Sequence, residues 1–289
     1  MPDLDRGRRS RLALAAAFLA ALSSPALAVP PDLVAIAGRI ARFREGRGTA
    51  AESARLSELF DLYWSARMRV FPELATYVGY SGVDDRLSDL SPEGLAFAHR
   101  LPHLERAALD SIDRARLAPA ERLNADLLRR RLELEIEGEK FGSLDPWTND
   151  YLIVDSMTDR VSGALGLVVD MPARTAADYE HMLARLRAFP TLVDEGIARL
   201  KEGSKRGITP PRVTLGRVAA EVLGQIEDEP EKSPYLAPFR AIPDTIPGAQ
   251  REAIRRESAA LFRSEIEPAL RRYGDYLGRE YVPHARESI

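Results

Sequence analysis

Four histidines, no cysteine and 44 acidic residues bound the chemistry open to this chain. Without Cys there is no thiolate nucleophile, no thiolate metal site and no disulfide. His99 and His103, in the stretch HRLPH, stand at the i, i+4 interval at which a helix presents two rings to one metal ion. The rest of that signature is missing. Arg100 occupies the place of the general-base Glu, and Pro102 falls between the rings, where it should distort the helix. Both histidines therefore read as surface or partly packed residues. His181 reads as a core-edge residue and His284 as a terminal one. No phosphate-cradling loop and no Gly-x-Ser-x-Gly elbow occurs. The carboxylates are scattered, and no pair among them stands out as general acid and base.

Two residues hint at ligand contact. Trp147, in DPWTNDY, lies in irregular chain, where an aromatic either lines a cleft or, more commonly, plugs a core edge. Arg212 follows Pro210-Pro211 at a helix start, where a cation opposes the helix dipole. A charge so placed hints at a paired or ligand-facing role, beside the commoner reading of a plain surface Arg. These two are the expected substrate-binding residues; no catalytic residue, metal ligand or cofactor is assigned.

The N-terminus carries a different signal. Arg6, Arg8, Arg9 and Arg11 precede an apolar run, Leu12 to Leu22, too short to span a bilayer, and Ala26-Leu27-Ala28 follows. This order predicts a secretory signal peptide over residues 1–28, cleaved after Ala28, and a periplasmic or secreted protein with no membrane attachment afterwards. Cleavage takes the formal net charge from -3 to -5, because four Arg and two Asp leave. That balance excludes a nucleic-acid partner read by charge.

The elements that must position any site are helical. Leu56, Leu59, Phe60, Tyr63 and Trp64 form one apolar stripe ended by Pro72. Ser91-Pro92 reads as an N-cap and first helical residue, opening a helix interrupted near Pro102 and resuming to about Arg116. Pro119 opens another, with Leu123, Leu127, Leu128, Leu132 and Ile136 inward. Thr175 with Asp178 resembles a capping box ahead of a helix through Tyr179, Met182, Leu183, Leu186 and Phe189, kinked at Pro190 and reaching Gly203. A further helix runs to about Glu227. The last covers 249–281 and is bent at Pro268. The expected fold is all-α: about seven helices in an antiparallel, hairpin-like array with irregular loops. Residues 29–48 read as a flexible lead-in and 49–289 as one helical unit.

Three stretches, FPELATYVGYSGVDDRLSDLSPEGL, TAADYEHMLARLRAFPTLVDEGIARLKEGSKRGITPPRVTLGRV and the closing run from SPYLAPFRAIPD to YLGREYVPHARESI, occur in an order that resembles bacterial domain-of-unknown-function family 885. The resemblance spans roughly residues 53–289. It implies an exported, helical, zinc-metallopeptidase-like protein about twice this length, whose second half holds a His-Glu-x-x-Pro-Gly-His type motif. There two His and a carboxylate would bind zinc, and the motif Glu would take a proton from the metal-bound water. No position here matches that motif, so no catalytic or metal residue carries over.

The resemblance thus implies the N-terminal half of such a protein, truncated in mid-helix at Ile289 and inactive alone. Its partners would be a peptide substrate and a C-terminal half or second chain. The alternative is a self-sufficient periplasmic helical binding protein without catalysis.

Overall fold

The computed structural model describes residues 29–46, 48, 50–142, 149–154 and 159–287. Among them there is no β-strand, only an isolated bridge between Val154 and Asp159. The longer helices are α1 (Pro31–Arg42), α2 (Glu52–Val70), α3 (Pro72–Tyr77), α4 (Pro92–Leu109), α5 (Pro119–Gly138), α6 (Arg160–Gly166), α7 (Ala176–Lys205), α8 (Val218–Leu223), α9 (Gly248–Leu261) and α10 (Glu267–Tyr276). The expected signal peptide, 1–28, lies outside the described residues, as does Trp147.

Helix starts follow local chemistry. Ser91 Oγ accepts from the Gly94 amide at 3.1 Å, and Pro92 takes the first turn of α4. At α7 the Asp178 amide donates to Thr175 Oγ1 at 3.3 Å, and Asp178 Oδ2 accepts from the Thr175 amide at 2.8 Å, completing the capping box. Glu121 serves the Ala118 amide at 2.7 Å at the head of α5, but Ala118 has no side-chain oxygen to return the bond. Past the end of α7, Gly207 adopts φ 71°, a left-handed turn that glycine enters without a Cβ clash.

Two cores result. The first joins α1, α2, α4 and α5 through residues such as Leu33, Ile40, Leu59, Leu101, Leu109 and Leu132. The second, larger core gathers around α7, which buries Tyr179, Met182, Leu183, Leu186, Phe189 and Val193 against α6, α9 and α10, while α8 packs on α10. Leu90, in the loop ahead of α4, belongs to this second core and so marks the seam. Arg185 of α7 reinforces it: its side chain, 1% exposed, donates to the carbonyls of Arg86 at 2.9 Å and Pro72 at 3.2 Å.

The structure corrects several expectations. Residues 31–42, expected within a flexible lead-in, form α1, because Leu33, Ile36 and Ile40 recur at helical spacing and are buried. Pro102 does not interrupt α4; the carbonyl it cannot serve belongs to Ala98, a cleft-lining residue. α4 instead stops at Leu109, and only a short turn, Arg114–Arg116, follows. Trp64, Leu123 and Leu127 were expected inward, yet they are 46%, 59% and 61% exposed. Leu56, Leu59 and Leu62 on α2, and Leu128 and Leu132 on α5, already fill the narrow contact each helix makes.

The helix from Val218 ends at Leu223, short of Glu227. The last helix passes Pro268 and Tyr281 and closes at His284, where Ala285 turns extended. The chain therefore leaves the helix before Ile289, against the expectation of a break in mid-helix.

Candidate functional site

A small, open cleft with a volume of about 80 Å3 lies on the first core beside the seam. Three helices line it in register. α2 contributes Arg67 and Val70 with Phe71 just beyond, and α4 contributes Leu95, Ala98, His99 and Pro102. From α5 and the turn after it come Arg131, Glu135 and Glu139. Spacings of three and four residues keep each set on one helical face. Ser88, Asp89 and Leu90 close one end, with Asp150 and Arg160 also on the wall.

The wall is charged in both senses. Arg67 serves two carboxylates at once: Glu105 at 3.0 Å and Glu135 in close contact. Its guanidinium also lies over the Tyr63 ring, 4.8 Å from the centroid. Glu135 has a second partner, Arg131, one turn earlier on α5. Glu105 is fully buried, and its Oε1 has no hydrogen-bond partner. Burial pushes this carboxyl up to about 7, despite the Arg67 charge.

Across the cleft, His99 Nε2 lies 2.8 Å from Asp150 Oδ2. That hydrogen bond raises the imidazole above its ordinary value, against its burial. His103 Nε2 meets Glu139 Oε1 at 2.7 Å. Behind the Leu90 end, Glu195 of α7 accepts the Leu90 amide at 2.9 Å. Its carboxyl is also pushed up to about 7 by burial.

The two histidines of HRLPH thus stand on one unbroken helix, each committed to its own carboxylate. Among the described residues no three His, Asp or Glu side chains converge as a metal site. Arg212 is not on the cleft. It donates to the carbonyls of Pro283 at 2.9 Å and Ala285 at 3.4 Å, and pairs with Glu287 at 3.4 Å. Its amide bonds the Arg286 carbonyl at 2.8 Å, and the Arg286 amide bonds Thr209 Oγ1 at 3.0 Å. The cation that opposed one helix start serves the C-terminal carbonyls of another helix, where the dipole favours it.

The residues that sequence reasoning passed over are Arg67, Glu105, Glu135, Asp150 and Glu195. Glu105 left a trace: it lies on the apolar stripe of α4 between Leu101, Ala108 and Leu109, a position where a charge needs a partner.

Comparison with known proteins bears on the fold and the family. The crystal structure of the "putative lipoprotein" from Colwellia psychrerythraea superimposes with a TM-score of 0.70 at 16% identity, covering 82% of this chain and 43% of that one. The chain therefore spans less than half the length of that protein, and at this identity the likeness is one of fold. No curated protein matches the sequence. The family model described as "Bacterial protein of unknown function (DUF885)" matches residues 72–288, beginning at α3 rather than near residue 53 and reaching the end of the described chain. The helices from α3 onward and the closing turn at Arg212 fall within that match, α1 and α2 precede it, and the chain belongs to the DUF885 family.

Proposed function

We propose that this chain is the ligand-embracing, non-catalytic helical portion of an exported, peptidase-like protein, and that an extended peptide lies in the cleft between α2, α4 and α5. The observation that carries this reading is the lining. Val70, Phe71, Leu90 and Leu95 offer apolar contact, while Arg67, His99, Glu135 and Asp150 offer donors and acceptors at the rim. A peptide presents the same mixture along its length.

Export rests on the charge, apolar run and Ala-x-Ala order of residues 1–28. The zinc implied for longer relatives has no fitting ligand set among the described residues, so no hydrolytic step is assigned to this chain. Catalysis would belong to a C-terminal half or a second chain. Leu74, Tyr77 and Val78, exposed at i, i+3 and i+4 on and just beyond α3, suit such a partner better than they suit a self-sufficient monomer.

Calorimetric titration of the purified chain with a mixed library of short peptides, with and without zinc, tests the proposal. Expected is zinc-independent binding that Arg67→Ala weakens, with no hydrolysis. Absence of binding, or zinc-dependent cleavage by this chain alone, would overturn it.

A further inference from the structure

A second hollow, of about 260 Å3, opens near the start of α2 and is larger than the 80 Å3 cleft. Arg39, Arg42 and Phe43 line it from the end of α1, and Arg55 and Glu58 line it from α2. Gly46 and Ala50, with little or no side chain, complete the wall. Arg55 and the cleft residue Arg67 stand about 18 Å apart along α2, so the two spaces are separate.

Three guanidinium groups surround this hollow. Arg55 is fixed: it is buried, lies over the Phe43 ring 5.0 Å from the centroid, and donates to Glu52 and Ser111. Arg39 has one loose partner, Glu58 at 3.4 Å, and both side chains are more than half exposed. An ion pair so open to water is weak. Arg42 pairs with no carboxylate among the described residues. Its guanidinium lies back along α1 over Gly38, where a Cβ would stand 3.6 Å from Nη1. With Glu52 behind Arg55 and Glu58 on the wall, three cations meet two carboxylates, and Arg42 is left over. The carbonyl end of α1 accounts for arginines in its last turn. It does not account for their enclosing, with a buried third, a space of this size.

We infer that the hollow binds a small organic anion, whose carboxylate or phosphate is held by Arg39 and Arg42 above the Arg55 charge. Guanidinium forks match the paired oxygens of both head groups, and charge-assisted bonds of this kind are strong. The volume approaches the roughly 300 Å3 at which small-molecule sites begin, so it takes more than a bare ion. Glu58 is the resident competitor, and the ligand's oxygens replace its long contact with Arg39. The hollow is apart from the cleft, so this site stands or falls independently of peptide binding.

Titrating phenyl phosphate, benzoate and inorganic phosphate into the full chain at constant ionic strength separates the head groups and the share of the body. Calorimetry reads affinity, and the Arg Nε–H resonances read the place. Expected is binding of phenyl phosphate or benzoate, tighter than that of inorganic phosphate, with shifts at Arg39 and Arg42. The tighter of the two aromatic anions identifies the head group as phosphate or carboxylate. Arg42→Gln should weaken binding about tenfold, whereas Glu58→Gln should tighten it a few-fold. A merely structural role would not give those opposite signs, and both side chains are exposed, so the fold is retained. Arg217→Gln, at a guanidinium 88% exposed on the other core, should change nothing. No binding at millimolar concentration, tightest binding by inorganic phosphate, or equal losses in Arg42→Gln and Arg217→Gln would overturn the site.

Discussion

The two cores bury different things. The second is mostly apolar, with Arg185 of α7 at its edge donating only to backbone carbonyls; inside it Tyr273 Oη donates to Asp159 at 3.1 Å, and Asp159 caps α6 through the amides of Val161 and Ser162. The first contains ions. Arg55, 3% exposed, pairs with Glu52 at 2.9 Å and donates to Ser111 Oγ at 2.8 Å and to the Ser111 carbonyl at 3.0 Å. A few turns away lies the Arg67, Glu105 and Glu135 triad. Buried pairs of this kind stabilise weakly when whole and are severe losses when halved. The difference teaches that the second core is a scaffold, whereas the first gives up stability to keep charge beside the cleft.

Halving an ion pair in the first core is the strongest way to break this contrast. Glu52→Ala leaves Arg55 buried without its carboxylate and also strips the Asp113 amide of an acceptor; it should lower stability by about 3–5 kcal/mol. Chemical denaturation measures it. The companion Glu52→Leu with Arg55→Met should recover most of that loss, and failure to do so would mean that the ions are not the weak point.

In the second core the sensitive feature is shape. A Cβ on Gly196 of α7 would sit 2.6 Å from Val161 Cγ2, so Gly196→Ala should cost about 1–3 kcal/mol as α6 is pushed away. A thermal melt unchanged from the parent would show that the two helices are looser than drawn.

A smaller effect is expected at the chain's last turn. Arg212→Ala should lose about 1 kcal/mol locally and speed amide exchange at Arg286 with little change at Leu183. Equal acceleration at both sites would make Arg212 part of the global fold. The smallest effect sharpens the contrast from the apolar side. Tyr281 Oη is buried with no partner, so Tyr281→Phe should be neutral or slightly stabilising, within about 1 kcal/mol. The same loss of stability as at Glu52 would erase the distinction between the cores.

The helical class and the cap and buried face of α7 were legible because they depend on residues within a few positions of one another. Thr175 and Asp178 are three apart, and Tyr179, Met182, Leu183 and Leu186 share one face. The cleft was not legible for the opposite reason. Arg67 meets Glu135 across 68 residues, and His99 meets Asp150 across 51. Nothing local in HRLPH says that each ring finds a carboxylate rather than a metal. Trp64, Leu123 and Leu127 misled because an apolar stripe shows which side of a helix is greasy, not how much of that side a neighbour covers. Arg212 was expected to bind substrate, but its guanidinium is spent on the carbonyls at the end of another helix, 71 and 73 residues away in sequence.

The long C-terminal helical run keeps time in an unusual way. Its buried residues Ile254, Ser258, Phe262 and Ile266 fall every fourth position, and so do Tyr273, Leu277 and Tyr281. An α-helix turns in about 3.6 residues, so a four-beat row drifts steadily around the rod. Two wider π turns, Phe262–Ile266 and Leu277–Tyr281, coincide with those rows. Each works like an intercalated day in a calendar, absorbing the accumulated drift so that the beat returns to the same side. Deleting one residue from either turn should therefore close it to an ordinary α turn and keep the later core residues facing inward, whereas a deletion in the α-helical stretch between the two turns would carry Tyr281 and Ala285 about 100° around toward solvent.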